Sequence, residues 1–221
     1  MKAEQQYIDL FTQYEDLICR KSVSVLNALR AEAFAHFERL GFPSLKGENY
    51  KYTDVAKAFA PDYGLNLNRL DIPVNPYDVF RCDVPNLSTS LYFVVNDMFY
   101  DKELPKAHLP EGVYAGGLKE FARLYPEVAA RYYGHGASME DNALVALNTM
   151  LVQDGFVFYV PRGVVVERPV QLVNIFRSDV DTMANRRLLF IVEEDAEAKL
   201  LVCDHSIDDV KFLANQVIEI F

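Results

Sequence analysis

The sequence predicts an α+β protein in which a mostly helical N-terminal region precedes the first turns of a parallel β-helix. Up to about residue 153 the apolar residues recur with the helical period, whereas from Asp154 onward the period falls to about two. The strands predicted in this last part are short, and little but turn residues separates them. Strands this short cannot each bury a face alone, but they can when successive turns stack into a solenoid.

The first two elements are predicted to be amphipathic helices that pack as a helical hairpin. Aromatic and aliphatic residues lie at helical spacing between Tyr7 and Ile18. A second helix is predicted from about Ser22 to Leu40, ending at Gly41 and Pro43. A glycine at the cap with a proline just beyond it is a common way for a helix to end.

A β-hairpin and two further helices are predicted in the middle of the chain. Two short apolar runs, Tyr92–Val95 and Met98–Tyr100, flank Asn96-Asp97. Asn and Asp tolerate the left-handed conformations that a tight turn requires, so this pattern predicts a hairpin. Helical spacing returns over Leu118–Tyr133 and Asp141–Val152.

We place the main boundary near residue 153, with a helical region over 1–153 and the first turns of the β-helix over 154–221. The later strands are predicted at Val170–Phe176, Leu188–Val192, Leu200–Val202 and Val217–Phe221. The chain stops inside the last strand-like pattern, so we expect it to be the front portion of a longer protein. The apolar residues of that last strand, Val217, Ile218, Ile220 and Phe221, should then be covered by a neighbouring chain or by a folded-back segment, or the tip should be disordered. Of these outcomes the pattern favours a homo-oligomer of this segment.

Composition and charge narrow the classes of partner. The formal net charge of −10 argues against binding to nucleic acid or to an anionic membrane surface, since both need a basic field. No apolar run approaches the ~20 residues of a membrane span. Three cysteines lie far apart and the N-terminus lacks an apolar leader, so the sequence predicts a cytoplasmic protein.

No catalytic motif is present, and the residues that could carry chemistry have simpler explanations. His36 and His135 are predicted to be surface or loop histidines, and His108 indicates no specific role. Cys203 and His205 share one face of a predicted strand and would suit zinc or iron, but no further Cys or His lies nearby in sequence. The acidic run 193–197 lacks the glycine of a calcium loop and is predicted to be a solvated turn. The sequence therefore predicts no catalytic, cofactor-binding or metal-binding residue.

Two sets of residues resemble signatures of a known family. The first set lies in the second helix and just after it: Arg30, Ala33, Phe37, Gly41, Pro43 and the segment Glu48-Asn49-Tyr50-Lys51-Tyr52-Thr53. The second set marks the entry to the β-helix: Leu147-Asn148, Asp154-Gly155, Val160 to Gly163 and Glu167-Arg168-Pro169-Val170. Together they resemble the SufB/SufD family, and the first set is similar to its SufD branch. One departure is Tyr50, which stands where the family usually has Trp.

The resemblance implies a non-catalytic scaffold protein of the SUF iron–sulfur cluster assembly machinery, built on a right-handed parallel β-helix. It also implies a SufB-like paralogue and a SufC-like ATPase as partners of the full-length protein. Similar proteins assemble clusters as a complex, and the resemblance places no cofactor in this segment. The family's ATPase-binding helices and cluster-interface residues correspond to sequence beyond Phe221, so no functional residue is carried over.

Two other interpretations of the function stay open from the sequence. One is a cytosolic helical protein-interaction module whose β segment only dimerises. The other is a β-helix enzyme acting on polysaccharide, which would need polar groups clustered on one face of largely aliphatic strands. For Tyr50 and Tyr52 we expect a clasp between the helical hairpin and the rest of the protein, with both rings on one side of an extended segment. A docking site for a partner is the alternative.

Overall fold

The fold is described from a computed structural model that covers residues 2–80, 88–102 and 109–221. The N-terminal helical elements are α1 (Ala3–Arg20), α2 (Ser24–Asn27), α3 (Arg30–Leu40), a 3₁₀ turn (Glu48–Tyr50), α4 (Val55–Phe59) and α5 (Pro76–Val79). Tyr7, Phe11 and Ile18 lie on one face of α1 and are buried. They pack with Ala33 and Phe37 of α3, so the two helices share one core as the amphipathic pattern predicts.

The prediction of one continuous helix from Ser22 to Leu40 is wrong, because α2 ends at Asn27 and α3 begins at Arg30. Asn27 Nδ2 donates to the carbonyl oxygen of Cys19 at 3.0 Å, and Arg30 Nε donates to Asn27 Oδ1 at 2.9 Å. Side-chain bonds of this kind compete with a regular helix. The break turns Arg30 into the protein, where it is buried.

After α5, the described part of the chain forms three strands, then three helices and then five further strands. The strands are β1 (Ser90–Val95), β2 (Met98–Phe99), β3 (Tyr114–Gly117), β4 (Phe156–Val160), β5 (Val170–Phe176), β6 (Thr182–Val192), β7 (Leu200–Ser206) and β8 (Phe212–Ile220). Between β3 and β4 lie α6 (Leu118–Leu124), α7 (Pro126–Tyr132) and α8 (Ala143–Leu151). The predicted hairpin is present, since β1 and β2 pair antiparallel and Asn96 adopts φ 54° in the turn.

The strands form two four-stranded mixed sheets, ordered β2-β1-β5-β7 and β3-β4-β6-β8. From β4 onward, successive strands alternate between the sheets, and β6, β7 and β8 each pair in parallel with the strand two before them in sequence. Register partners lie 30 residues apart in the pairs β5–β7 and β6–β8, as in Val170↔Leu200 and Leu188↔Ile218, and 32 apart in β4–β6, as in Phe156↔Leu188. The fold is therefore α+β, with helices followed by mixed sheets.

Both sheets draw strands from the two sides of residue 153. β1 pairs in parallel with β5, and β3 pairs antiparallel with β4. The sheets thus join the regions that the sequence separates at this residue, and the division into 1–153 and 154–221 stays a prediction.

Apolar cores lie between the sheets and on their outer faces. Residues of both sheets, among them Val94, Phe158 and Leu172, form a shared cluster. On the outer face of β4 and β6, Val157 and Leu189 pack with Phe121 of α6. On the outer face of β1 and β5, Phe93, Val173 and Ile175 pack with Tyr77 of α5. Helices therefore cover both sheets, and no helix of the described residues is long and apolar enough to cross a membrane.

β7 and β8 are edge strands, and apolar side chains on them are exposed. Val202 and Ile218 are register partners of Leu172 and Leu188, which belong to the shared cluster between the sheets. Ile218 is nevertheless 43% exposed and Ile220 is 68% exposed. Such an edge presents unpaired backbone groups beside apolar side chains and is a surface for strand addition. That a second copy covers it stays a prediction.

Candidate functional site

Arg30, from the first signature, anchors α3 to the end of α8. Its Nη1 donates to the carbonyl oxygen of Met150 at 2.8 Å, and its Nη2 donates to that of Val152 at 2.6 Å. The same Nη2 also donates to Ser22 Oγ at 3.0 Å, and Nε donates to Asn27 Oδ1 at 2.9 Å. Burial lowers the pKa of this guanidinium. The last carbonyls of a helix have no partner within it, so Arg30 both satisfies them and complements the helix dipole.

Gly41 of the same signature closes α3 at a crowded position. It adopts φ 61°, and a Cβ there would lie 3.1 Å from Glu4 Oε1 of α1. A residue with a side chain would be strained by the conformation and would press on Glu4. Gly41 therefore allows α1 and the end of α3 to approach each other.

The expectation that Tyr50 and Tyr52 form a clasp is wrong for Tyr52. Residues 48–50 form a 3₁₀ turn rather than an extended segment, so alternate side chains do not share a face. Tyr50 packs against the core of α1 and α3. Tyr52 is 89% exposed, and Lys51 Nζ lies 5.0 Å from the centre of its ring. Tyr52 is thus free to contact a partner, as in the docking alternative.

A surface cavity of about 250 Å³ lies beside this turn. One wall comes from the signature and the other from the residues that lead into α8. Its lining residues are Leu40, Gly41, Pro43, Asn49, Tyr50, Asp141, Asn142 and Ala143. We call this cavity the signature cleft. Asn142 also caps α8, because its Oδ1 accepts from the amides of Leu144 and Val145 at 3.0 and 3.3 Å.

The second signature holds α8 against the strands. Asn148 of α8 donates from Nδ2 to the carbonyl oxygens of Arg186 and Asn215, at 2.9 and 2.8 Å. One buried amide thereby bridges β6 and β8. A neutral side chain with two donors suits this position, since buried backbone carbonyls need partners.

Asp154-Gly155 fixes the entry to β4. Asp154 Oδ1 accepts from the amide of Lys119 at 2.9 Å at the start of α6, and burial raises the pKa of this carboxyl. A Cβ at Gly155 would collide with the carbonyl oxygen of Arg187 on the neighbouring strand. Glycine is required here because the two backbones approach closely.

A buried ion pair joins β6 to β8 beneath the helices. Arg187 Nε donates to Glu219 Oε2 at 2.7 Å, its Nη2 lies 2.6 Å from the same oxygen, and both side chains are fully buried. Arg187 Nη1 also donates to Asn148 Oδ1 and Thr149 Oγ1, both at 3.2 Å. The guanidinium carbon of Arg187 lies over the ring of Tyr133, 4.9 Å from the centre of that ring. Arg187 and Glu219 each interrupt an apolar strand pattern, which is a signal in the sequence for a buried pair.

The predicted surface histidines have the expected places where the structure describes them. His36 is half-buried on α3, where Nδ1 lies 3.0 Å from Arg39 Nη2, and His135 is exposed in the loop after α7. His108 and Cys82 lie outside the described residues. The acidic run forms a turn in which Asp195 adopts φ 59° and Arg162 approaches Glu194 at 3.2 Å.

Cys203 and His205 share a face of β7, but that face is packed with aromatic side chains. Cys203 belongs to the cluster of Phe93 and Tyr77, and Phe80 contacts the His205 ring at 5.5 Å between centres. Cys203 Sγ lies 3.8 Å from the carbonyl oxygen of Leu172. Within residues 2–80, 88–102 and 109–221, no group of three or more His, Cys, Asp or Glu could hold a metal ion.

The signature residues therefore act as anchors between elements, and the comparisons with known proteins agree with the resemblance. Residues 1–172 match the family described as SufBD protein N-terminal region. Because this match covers most of the chain, the protein belongs to the SufBD family, and the predicted family membership is confirmed.

Two curated relatives show the extent of the similarity. The iron-sulfur cluster assembly protein SufD of Bacillus subtilis (strain 168) is 26% identical over 199 residues, which are 88% of this chain and 43% of that protein. An iron-sulfur cluster assembly SufBD family protein, ycf24 of Trieres chinensis, is 26% identical over 205 residues, which are 85% of this chain and 42% of that protein. The chain thus spans less than half the length of these relatives.

Proposed function

We propose that the protein is a SufD-like scaffold subunit of an iron–sulfur cluster assembly machinery, acting with a SufB-like paralogue and a SufC-like ATPase. The observation that carries this proposal is the family match over residues 1–172. The relatives named as iron–sulfur cluster assembly proteins support it. The buried anchors made by Arg30 and Asn148 give both signatures a structural role, which suits a scaffold.

For the strands we propose a right-handed parallel β-helix. The alternation of strands between two sheets supports it, as does the near-constant shift of 30 to 32 residues between register partners from β4 to β8. In such a winding each turn pairs only with its neighbours, so the core grows by addition of equal layers. β1, which pairs with β5, would belong to the same winding.

We further propose that this segment is cytoplasmic, catalyses no reaction and holds no cofactor of its own. The iron–sulfur cluster would be the cargo of the assembled machinery. Clusters are held mainly by cysteine thiolates, and this chain has three cysteines far apart in sequence. Anaerobic reconstitution followed by visible absorbance tests this part, and a cluster that survives desalting and is lost in Cys203→Ser would contradict it.

The decisive experiment is affinity purification of the natural gene product from its own cells, with a tag at the N-terminus. We expect a SufB-like paralogue and a SufC-like ATPase to co-purify, and neither to appear from an untagged strain. Recovery of neither partner under anaerobic extraction would contradict the scaffold proposal.

A helical interaction module is the second candidate, because Tyr52 is exposed beside the signature cleft. Under that function, partners would bind residues 2–60 without the strands. The wild-type protein would then recover partners other than the SufB-like and SufC-like proteins. Loss of those partners in Tyr52→Ala would favour this candidate over the first.

A further inference from the structure

We propose that Glu219 and Arg187 form a latch that couples the edge strand β8 to the wall of the signature cleft. β8 alternates between a buried and an exposed face: Val217 and Glu219 are buried, whereas Ile218 and Ile220 are exposed. The strand therefore presents its carboxylate to the helices while its edge remains open. A displacement of β8 at that edge therefore also displaces the residues that Glu219 binds.

Glu219 holds the start of the connection between α7 and α8. Its Oε1 accepts from the amide of Gly136 at 2.8 Å, and its Oε2 accepts from the amide of Gly134 at 3.2 Å. Gly134 adopts φ 83°, a conformation that disfavours side chains. The carboxylate thus fixes a backbone turn that no regular element stabilises.

The C-terminal end of the connection between α7 and α8 forms one wall of the signature cleft. The carbonyl oxygen of Glu140 accepts from Arg39 Nη2 of α3 at 2.6 Å, and Asp141 and Asn142 line the cavity. Only five residues separate Gly136 from Asn142, so a displaced turn at Gly136 shifts the wall of the cleft. Glu219 is therefore a positioning residue for a surface that it does not touch.

The charge of Arg187 makes the coupling strong. Without Glu219, this fully buried guanidinium keeps the neutral oxygens of Asn148 and Thr149 on α8 as its described acceptors. Removing one partner of a buried ion pair is strongly destabilising because a charge is left uncompensated. An interaction that stabilises β8 therefore also stabilises the connection between α7 and α8. Because such coupling is reciprocal, binding at the signature cleft stabilises β8.

Amide exchange followed by NMR tests the latch. Glu219→Gln removes the charge but keeps an acceptor, and Glu197→Gln changes an exposed glutamate as the matched control. We expect the amides of Gly134 and Gly136 to exchange about 10- to 100-fold faster in Glu219→Gln, the range expected when charge-assisted hydrogen bonds are lost. The amides of 141–144 should follow, whereas Glu197→Gln should match the wild type.

A double variant separates the latch from general stability. Arg187→Met with Glu219→Leu replaces both charges by apolar groups of similar volume, which is often neutral for stability. We expect thermal unfolding near that of the wild type with Gly134 and Gly136 still exchanging fast. Wild-type protection of these amides in the double variant, or equal exchange in Glu219→Gln and Glu197→Gln, would overturn the proposal.

Discussion

Replacing Arg30 by Met should destabilise the protein more than any exposed arginine does. The guanidinium satisfies the carbonyls of Met150 and Val152 at the end of α8, and Met leaves both without that donor. Each buried acceptor left unpaired costs about 1–3 kcal/mol. The buried charge is removed at the same time, which returns part of its desolvation cost. We therefore expect a loss of about 3 kcal/mol in the free energy of unfolding.

Urea unfolding followed by circular dichroism measures this loss, with Arg20→Met as the matched control. Arg20 is exposed on α1, and its described side-chain bond is to the carbonyl of Asp16 one turn before it. The control should change stability by less than about 0.5 kcal/mol. Equal m-values for the variants would show that the same surface unfolds. A loss in Arg30→Met no larger than in the control would refute the capping role of Arg30.

Three further predictions concern the surface and one buried acid. Ile218→Lys with Ile220→Lys should shift the protein towards monomer in sedimentation at micromolar concentration, and a wild type already monomeric with this edge ordered would contradict it. Because the folded pKa of Asp154 lies above its ordinary value of 3.8, the folded state binds its proton more tightly and stability falls as pH rises through that pKa. Asp154→Asn should therefore gain stability relative to the wild type as the pH rises above about 4, measured by urea unfolding at each pH; a constant difference would refute this. Tyr52→Ala should leave stability within about 0.5 kcal/mol but reduce recovery of partners, unlike Tyr14→Ala on α1.

Local patterns in the sequence predicted most elements of the fold. The change of apolar period near Asp154 marks the start of the strands β4 to β8, and Asn96-Asp97 marks the hairpin between β1 and β2. Both depend on residues close in sequence. The pairing of β1 with β5 could not be predicted in this way, because Ser90 meets Val170 across the whole of α6, α7 and α8.

The candidate site was less predictable because its contacts join distant residues. Arg187 and Glu219 lie on different strands, so neither residue alone indicates that both are buried. The first signature includes Arg30, but the role of this residue depends on carbonyl oxygens at the end of α8, which lie far from it in sequence. The prediction that Tyr52 packs as part of a clasp is wrong because a 3₁₀ turn, rather than an extended segment, precedes it.

The pairing of β1 with β5 has a consequence for synthesis on the ribosome. Ser90 to Val95 carries Phe93 and Val94, yet its strand partner begins 80 residues later at Val170. At about 5–20 residues per second, this apolar strand waits on the order of 4–16 s for that partner. Its hairpin partner, β2, supplies two residues only. During that interval the nascent chain carries a β-prone segment that other chains or chaperones can bind, and the rate of translation between residues 95 and 176 sets how long this lasts.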